Sequence, residues 1–253
     1  MMDIGNIITY QSKKSVKHWS EDFLFPEEKK IIKMLKPTDK VLEVGCGAGR
    51  LTKYIKRKCK ETTGVDYCPG LIKQARKDYP NIRFEVRDAR ELRFMLEKFD
   101  VVWFSFNGID YIIPKAEIIK ALDDMRRVCE DKGKIMFSAH KPHVPYSIPT
   151  AKYLFKWLIG NNYVLCEQSF GNLLTHYGTK RKWKKLTKKA GLKITETIKC
   201  PYWNYYVCKK KNYKLSELCH WTLKPFYYAF EWVYSENLKR DFPEAYGKEV
   251  NKK

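Results

Sequence analysis

The chain has 253 residues, which is enough for one large α/β domain with an elaboration and for a complete hydrophobic core. Its 50 Lys and Arg against 29 Asp and Glu give a formal net charge of +21, so the surface is expected to attract anions. A generally lysine-rich composition explains that charge equally well, because the basic residues are spread along the chain. The chain has no stretch of 18 uncharged apolar residues and no signal-peptide core. We therefore expect a soluble, cytoplasmic protein without a transmembrane segment.

The eight cysteines do not show the spacing of a metal site. None forms a C-x-x-C pair, and Cys219 and His220 are too close together to build a site. We therefore expect reduced intracellular thiols and no bound metal.

The first 36 residues are predicted to form an N-terminal helical flap. Residues 1–26 lack clear periodicity but are rich in aromatic side chains, which favours short packed helices. Pro26 suits the first turn of a helix over residues 27–35, and Pro37 ends that helix.

Residues 41–50, VLEVGCGAGR, place three glycines directly after an apolar run that is typical of a buried strand over residues 40–45. Glycines there let the backbone turn tightly and approach a ligand, and a helix is predicted to follow from about residue 50 to 58. A dinucleotide-binding loop would have glycine at position 50, where this chain has Arg50. The stretch predicts a nucleotide-binding corner without the NAD fingerprint, or else a glycine-rich turn that binds nothing.

The next two predicted strands each lead to an acid. Residues 62–66, TTGVD, end in Asp66, 21 positions after Gly45, where a carboxylate would reach ribose hydroxyls. The alternative role for Asp66 is to cap the helix predicted over residues 70–79. A third strand over residues 81–86 leads to Asp88, before a short helical piece around residues 91–96.

The apolar run FDVVWF, residues 99–104, is typical of a central parallel strand covered on both faces. A helix over residues 118–128, a turn at 131–133 and a strand at 134–139 complete a βαβαβαβαβ alternation. This alternation predicts an α/β fold on a doubly wound, mainly parallel, Rossmann-like sheet. Every candidate ligand residue then falls at its carboxyl edge.

Five motifs, in order and at usual spacings, resemble those of the class I S-adenosylmethionine (SAM)-dependent methyltransferases, most closely the broad small-molecule group. They are VLEVGCGAGR, GVDYCPGLI, VRDAREL, FDVVWFSFNGIDYI and GKIMFSAH. Residues 180–196 are similar to the family's final helix and sixth strand, and residues 202–209 to its seventh strand. The resemblance covers about two-thirds of the chain. It implies a seven-stranded sheet, SAM as the cofactor and a SAM-binding domain over residues 37–212.

The resemblance also implies roles for individual residues. Asp66 would hold the ribose of SAM, and Asp88 with Ala89 would hold the adenine amino group. The residues assigned to SAM are Glu43, Gly45, Cys46, Gly47, Gly49, Asp66, Tyr67, Asp88, Ala89, Ser105, Phe106 and Asn107. Those assigned to the acceptor or to a flap closing over it, as N-terminal flaps do in similar enzymes, are Tyr10, His18, Trp19, Asp110 and Tyr111.

His140 directly follows the fifth strand and is the side chain best suited, by type and position, to take a proton from an amine or alcohol acceptor. A structural or substrate-orienting histidine is the alternative, and His143 is a weaker candidate base. The residues after the fourth strand, Ser105 to Gly108, lack the Asp/Asn-Pro-Pro-aromatic tetrad of enzymes that methylate amino groups of nucleic-acid bases.

Two aromatic stretches lie outside the shared frame. One is an insert after the fifth strand, about residues 141–178, with a helix-like aromatic part before residue 168. The other is a predicted C-terminal helical extension, residues 213–253. Each is interpreted as a cap on the core, a lid or dimer contact, or a membrane-interface or nucleic-acid surface.

The leading hypothesis is methyl transfer from SAM to O or N of a small or medium, anionic acceptor. A second hypothesis makes the acceptor RNA, either tRNA or rRNA, and a third makes the chain a non-catalytic SAM-binding module. A homodimer through the aromatic C-terminal segment is a further hypothesis.

Overall fold

The computed structural model describes residues 4–92, 95–141, 163–168 and 171–211, and the chain up to Lys211 forms one compact unit. The nine strands of this part are β1 (Lys40–Val44), β2 (Glu61–Asp66), β3 (Arg83–Val86), β4 (Phe99–Phe104), β5 (Cys129–His140), β6 (Tyr163–Gln168), β7 (Gly171–His176), β8 (Leu192–Lys199) and β9 (Trp203–Lys210). Its seven α-helices are α1 (Ile4–Gln11), α2 (Lys13–Trp19), α3 (Pro26–Lys33), α4 (Thr52–Lys58), α5 (Pro69–Asp78), α6 (Lys115–Val128) and α7 (Lys180–Lys189).

Seven strands form one sheet in the order β3-β2-β1-β4-β5-β9-β8. Strands β1 to β5 are parallel, and β9 is antiparallel to both of its neighbours, β5 and β8. The chain winds outward from β1 to β3 and then returns to place β4 on the other side of β1. The predicted mainly parallel, seven-stranded α/β sheet is therefore confirmed.

Helices cover both faces of the sheet, which explains the apolar runs in the central strands. On one face, Leu42 packs with α6 and with Trp183 of α7. On the other, Val41 and Trp103 pack with Ile31 of α3 and Ile55 of α4. Neighbouring residues of β1 thus enter opposite cores, as the alternation of side chains along a strand requires.

The insert after the fifth strand was predicted to be helix-like up to residue 168, and this prediction is wrong for its last six residues, 163–168. Residues 163–168 form strand β6, which pairs antiparallel with β7 in a separate two-stranded sheet. The run Tyr-Val-Leu-Cys at 163–166 has the β-branched and aromatic character that favours strands, and β7 follows immediately in sequence as a partner. The rest of the predicted helical part lies outside the described residues.

Two smaller predictions are also corrected. One concerns the short helical piece expected around residues 91–96: it has 3₁₀ rather than α-helical hydrogen bonding at Leu92, since Glu91 and Met95 each bond three residues back, to Asp88 and Leu92. The turn expected at 131–133 lies inside β5, whose pairing with β4 is irregular before Lys134.

The C-terminal extension, residues 213–253, lies outside the described residues. In the part of the chain that the structure describes, no helix is long and apolar enough to cross a bilayer.

Candidate active site

The carboxyl ends of the parallel strands meet at one edge, where the order of the strands reverses beside β1. This is the position at which open α/β sheets bind ligands. A cavity opens there between β1, β2 and β4, and N-terminal helices α1 and α2 contribute to its wall. Most of the residues predicted to bind SAM line it: Glu43, Gly45, Cys46, Gly47, Asp66, Tyr67, Asp88, Ala89, Ser105 and Phe106.

Tyr10, Trp19 and Tyr111, predicted for the acceptor or flap, also line the cavity. Gly49, Asn107, His18, Asp110 and His140 do not belong to its wall. The lining residues that the sequence prediction missed include Asn6, Arg50, Leu71, Arg87, Arg90 and Ile112.

The glycine turn follows β1 as predicted. Gly45 has φ +66°, and a Cβ atom there would lie 2.7 Å from Cε2 of Phe104. Only glycine allows both the left-handed backbone and the close approach of the Phe104 ring. The turn therefore brings bare backbone to the cavity at the end of β1.

Asp66 joins the glycine loop to the next helix. Its Oδ2 accepts the backbone N–H of Gly47 and its Oδ1 accepts that of Cys68, both at 2.9 Å, just before α5. Burial raises the pKa of Asp66 to about 6. The alternative role of Asp66 as the cap of α5 is wrong, because Cys68 is the N-cap residue and no side chain caps that helix. Asp66 instead lines the cavity, and each of its oxygens can accept more than one hydrogen bond.

Glu43 lies beneath the loop and is 1% exposed. It accepts hydrogen bonds from the hydroxyls of Thr52, at 2.6 Å, and Ser105, at 2.7 Å. It thereby joins β1 to α4 and to the loop after β4. Burial raises its pKa to about 7, although both hydroxyls act in the opposite direction.

Arg50 has a structural role that the sequence did not indicate. Its guanidinium forms two hydrogen bonds with the Glu28 carboxylate, at 2.7 and 2.8 Å, and a third with the Phe23 carbonyl at 2.9 Å. Both partners of this ion pair are nearly fully buried. The guanidinium also lies over the rings of Phe23 and Phe106, at 4.4 and 5.4 Å. Arg50 thus fixes α3 and the loop after β4 to the glycine turn.

Asp88 lines the cavity but already has a partner. The Arg90 side chain bonds both of its carboxylate oxygens, at 2.9 and 2.7 Å, and also contacts Glu117 at 3.3 Å. An adenine amino group at this position would share the Asp88 carboxylate with Arg90. The sequence assigned Asp88 to the adenine but gave Arg90 no role.

The loop after β4 has a strained backbone. Phe106 and Asn107 both have left-handed φ angles, 43° and 58°, which non-glycine residues rarely adopt. The backbone N–H of Asn107 donates to Ser138 Oγ at 2.7 Å, and the loop is also anchored through Ser105 and Glu43. Strain held by such contacts is typical of functional sites.

His140, which is partly exposed, forms a dyad with buried Asp110 beside this loop. Asp110 Oδ2 lies 2.9 Å from His140 Nδ1 and accepts the His140 backbone N–H at 2.6 Å. The Asn107 amide nitrogen lies 3.3 Å from His140 Nε2. Burial raises the pKa of Asp110, and it lowers the pKa of nearby Lys182 to about 8. Among the described residues, Asp110 Oδ1 and Asn107 Oδ1 are buried without a hydrogen-bond partner.

The N-terminal helices bring aromatic side chains to the cavity. Tyr10 of α1 meets Tyr67 and Tyr111 edge to face, with ring centroids 6.2 and 5.9 Å apart. Trp19 of α2 meets Phe106 at 5.3 Å. His18 lies behind Trp19, with a centroid distance of 5.0 Å. Residues 4–19 therefore form two short helices whose aromatic side chains reach the cavity, and their action as a flap stays a prediction.

Within the described residues, no group of three or more His, Cys, Asp or Glu is arranged to hold a metal ion. Six cysteines of this part are free and buried: Cys46, Cys59, Cys68, Cys129, Cys200 and Cys208. Burial raises the pKa of Cys46, beside the glycine loop, well above its usual value. This thiol therefore stays protonated at neutral pH.

The doubly wound sheet, the glycine turn and the acid that ends β2 are the features of a Rossmann-like nucleotide-cofactor-binding fold. Residues 41–133 match the family model described as a methyltransferase domain. Over these residues the chain is similar to methyltransferase domains, and its fold is that of solved SAM-dependent methyltransferases, which is consistent with a class I methyltransferase.

Three relatives illustrate the similarity. Demethylmenaquinone methyltransferase of Renibacterium salmoninarum is 29% identical over 48% of this chain and 51% of its own. Probable tRNA methyltransferase 9B of Homo sapiens is 31% identical over 44% of this chain and 24% of its own. The solved structure of SAM-bound CalS10, an amino pentose methyltransferase from Micromonospora echinaspora, has a TM-score of 0.57, 14% identity, and coverage of 77% of this chain and 95% of its own. The chain spans about half or less of the length of these curated relatives.

Proposed function

We propose that this chain transfers the methyl group of SAM to an oxygen or nitrogen atom of an anionic acceptor. The observation that carries the proposal is the convergence of the glycine turn, Asp66 and the loop after β4 on one cavity at the carboxyl edge of the sheet. The methyltransferase-domain match and the SAM-bound neighbour of the same fold support it.

The residues present fit SAM. The left-handed Gly45 admits a ligand against the backbone, and Asp66 retains acceptor capacity for ribose hydroxyls beyond its two backbone bonds. Leu71 and Ala89 add apolar wall, which suits the flat face of adenine. When bound, SAM would supply a methylsulfonium, which is already a strong electrophile. The chain then has to position the acceptor, exclude water and remove a proton.

Proton removal is assigned to His140. With Nδ1–H donating to Asp110, the neutral ring carries its lone pair on Nε2, and the Asn107 amide donates to that atom. For Nε2 to take the acceptor's proton, the Asn107 amide first turns and frees the lone pair, and its unpartnered Oδ1 then accepts the new Nε2–H. Asp110 fixes the tautomer and stabilises the charged ring. His140 lies outside the cofactor cavity, so the acceptor would bridge from His140 to the methyl group.

The proposal has two forms, which differ in the acceptor: a small or medium metabolite, or RNA. A small or medium metabolite is supported by relatives whose names specify demethylmenaquinone or an amino pentose. RNA is supported by the relative named as a tRNA methyltransferase and by the +21 charge. An acceptor bound through many phosphates should lose affinity steeply with added salt, whereas a small acceptor should show a shallow dependence.

Titration calorimetry with SAM tests the cofactor half of the proposal. Asp66→Asn is expected to weaken SAM binding about tenfold or more, because a charge-assisted hydrogen bond contributes about 1.5–3 kcal/mol. Asp78→Asn is the matched control, since Asp78 is the exposed last residue of α5 and its carboxylate accepts hydrogen bonds from the Gln74 side chain. Absence of SAM binding to the unaltered chain would overturn the proposal.

His140→Ala tests the chemical half. We expect turnover to fall about 10²–10⁴-fold while SAM affinity stays within twofold, because the ring acts on the acceptor alone. Labelled SAM incubated with fractionated cell extract supplies the acceptor for this assay. Near-full turnover of His140→Ala at saturating SAM and acceptor would remove His140 as the base. SAM binding with no methylated product in any fraction would instead favour the non-catalytic module.

A further inference from the structure

Helix α7 presents an unusually charged surface. Its sequence, KRKWKKLTKK, has no acidic residue, and its inward side is formed by buried Trp183, Leu186 and Thr187. The outward side is exposed throughout. We call this outward side the α7 basic face; it consists of Lys180, Arg181, Lys184, Lys185, Lys188 and Lys189.

The charges of the α7 basic face repel one another. Residues four apart on a helix are neighbours, and here every such exposed pair, for example Lys184 with Lys188, joins two cations. Like-charged pairs at this spacing destabilise an isolated helix. No ion pair between described residues involves this face, whereas Arg83 is paired with Glu85 and Glu97. Among the residues that the structure describes, this face therefore has no compensating anion.

We propose that the α7 basic face is a docking surface for the phosphodiester backbone of RNA. The exposed cations form two rows along the helix with a repeat of about 6 Å, four residues at 1.5 Å each. This spacing is comparable to that between successive phosphates of a nucleic-acid strand. A regular polyanion can therefore contact several of these cations at once.

An acidic membrane is a less suitable partner for the α7 basic face than RNA is. Membrane-surface helices insert apolar side chains into the bilayer. The apolar side of α7 is already buried in the core of the protein, against the sheet and α6. The exposed side offers only lysine and arginine for contact.

The face begins next to the proposed catalytic dyad. Gly178, just before α7, donates its backbone N–H to the His140 carbonyl at 3.3 Å. Lys182, in the first turn, donates to the Tyr177 carbonyl at 2.9 Å, and the Tyr177 ring lies 5.5 Å from that of His140. A strand bound along α7 would therefore lead toward His140.

The choice of RNA rests on the proposed function. Methyl transfer to oxygen or nitrogen needs an exposed acceptor atom, and RNA offers 2′-hydroxyls and the edges of unpaired bases. In duplex DNA the base must first be flipped out of the stack. This inference makes RNA, the second sequence-based hypothesis, the preferred acceptor.

The test compares two double variants with the same change in charge. Lys184→Glu with Lys188→Glu alters the fifth and ninth residues of α7, and Lys73→Glu with Lys77→Glu alters the fifth and ninth residues of the equally long helix α5. Binding of a short fluorescent RNA to the full chain is measured by anisotropy at several salt concentrations. The unaltered chain is expected to show a slope of log K against log salt of about −4, from about six phosphate contacts.

The α7 variant is expected to bind RNA about tenfold more weakly and to lose about 1 or more from the magnitude of that slope. The α5 variant should stay within about twofold, because distant charges are screened. Equal losses in both variants, or no loss in either, would overturn the proposal. So would binding of the same-sequence DNA, or of phosphatidylserine vesicles, that is as tight as RNA binding and equally sensitive to the α7 substitutions.

SAM calorimetry on the same samples separates the two proposals. Both variants should retain SAM affinity and circular dichroism, which shows that they are folded. A chain that binds SAM but not RNA contradicts only the docking surface. A chain that binds RNA through α7 but not SAM contradicts the proposed methyl transfer.

Discussion

At the scale of single residues, the site is built from acids buried against the glycine turn. Glu43 and Asp66 line the cavity, and burial raises the pKa of both, to about 7 and about 6. In the unfolded chain both would ionise at lower pH, with ordinary values of 4.5 and 3.8. The folded protein therefore holds protons that the unfolded chain has released over that pH range.

The stability of the protein is expected to fall as pH rises through this window. Since the native state binds more protons between the unfolded and folded pKa values, the free energy of unfolding declines with pH there. For Glu43 the fall is about 3 kcal/mol between pH 4.5 and 7. Urea unfolding at several pH values should show this decline, and Glu43→Gln should flatten it.

The exposed glutamate of β2 provides the control for that measurement. Glu61→Gln removes a carboxyl that is 66% exposed and contacts only Lys40, so it should leave the pH dependence unchanged. Parallel pH profiles for the unaltered chain and Glu43→Gln would contradict the assignment.

Some residue roles followed from the sequence and others did not. The placement of Asp66 was predictable, because an acid at the end of the second strand of a βαβ unit must lie beside the first turn. The partners of Arg50 were not, because Glu28 lies 22 positions away and only packing of α3 brings it near. Similarly, the left-handed backbone of Phe106 and Asn107 could not be predicted from their residue types.

At the scale of elements, the buried Glu28–Arg50 pair connects α3 to the glycine turn. Glu28→Gln and Arg50→Met are each expected to lower the free energy of unfolding by about 3–5 kcal/mol, since each leaves a charge buried without its partner. The double variant should be less destabilised than the sum of the two. Urea unfolding of all four proteins measures this coupling.

The surface pair of Arg83 and Glu97 serves as the comparison. Arg83 is 53% exposed, so Arg83→Met should cost no more than about 1 kcal/mol. A loss for Arg50→Met as small as that for Arg83→Met would show that the buried pair does not hold α3 in place.

Strands and helices were predicted correctly where the hydrophobic pattern is strong. The predictions failed where the pairing partner of a segment decides its secondary structure. The central strands β1 and β4 carry buried apolar residues on both faces, which a sheet covered on both sides explains. The β6–β7 pair was missed because a short apolar run fits a helix or a strand equally well until its partner is known. The irregular start of β5 was read as a turn because Asp131 to Gly133 has turn composition.

At the scale of the whole molecule, residues 4–19 and the sheet edge contribute together to the wall of the cofactor cavity. Helix α1 packs against α5 and β7, and its Tyr10 ring bridges Tyr67 and Tyr111 across the cavity wall. These contacts join the beginning of the chain to segments far along it. The sequence predicted short aromatic helices in this region. It did not predict that α1 packs against α5 and β7, because only the tertiary fold brings these segments together.

If α1 retains SAM, loosening its aromatic contact should speed release of the cofactor more than it slows entry. Tyr10→Ala removes a ring that meets two others edge to face, and such pairs contribute about 0.5–1.5 kcal/mol each. We expect the SAM dissociation rate, followed by stopped-flow tryptophan fluorescence, to rise about tenfold with little change in the association rate. Tyr54→Ala is the matched control. Tyr54 lies on α4, its hydroxyl donates to the carboxylate of Asp22, and its ring does not line the cavity. A dissociation rate for Tyr10→Ala equal to that of Tyr54→Ala would mean that α1 is a fixed wall and that SAM enters and leaves by another opening.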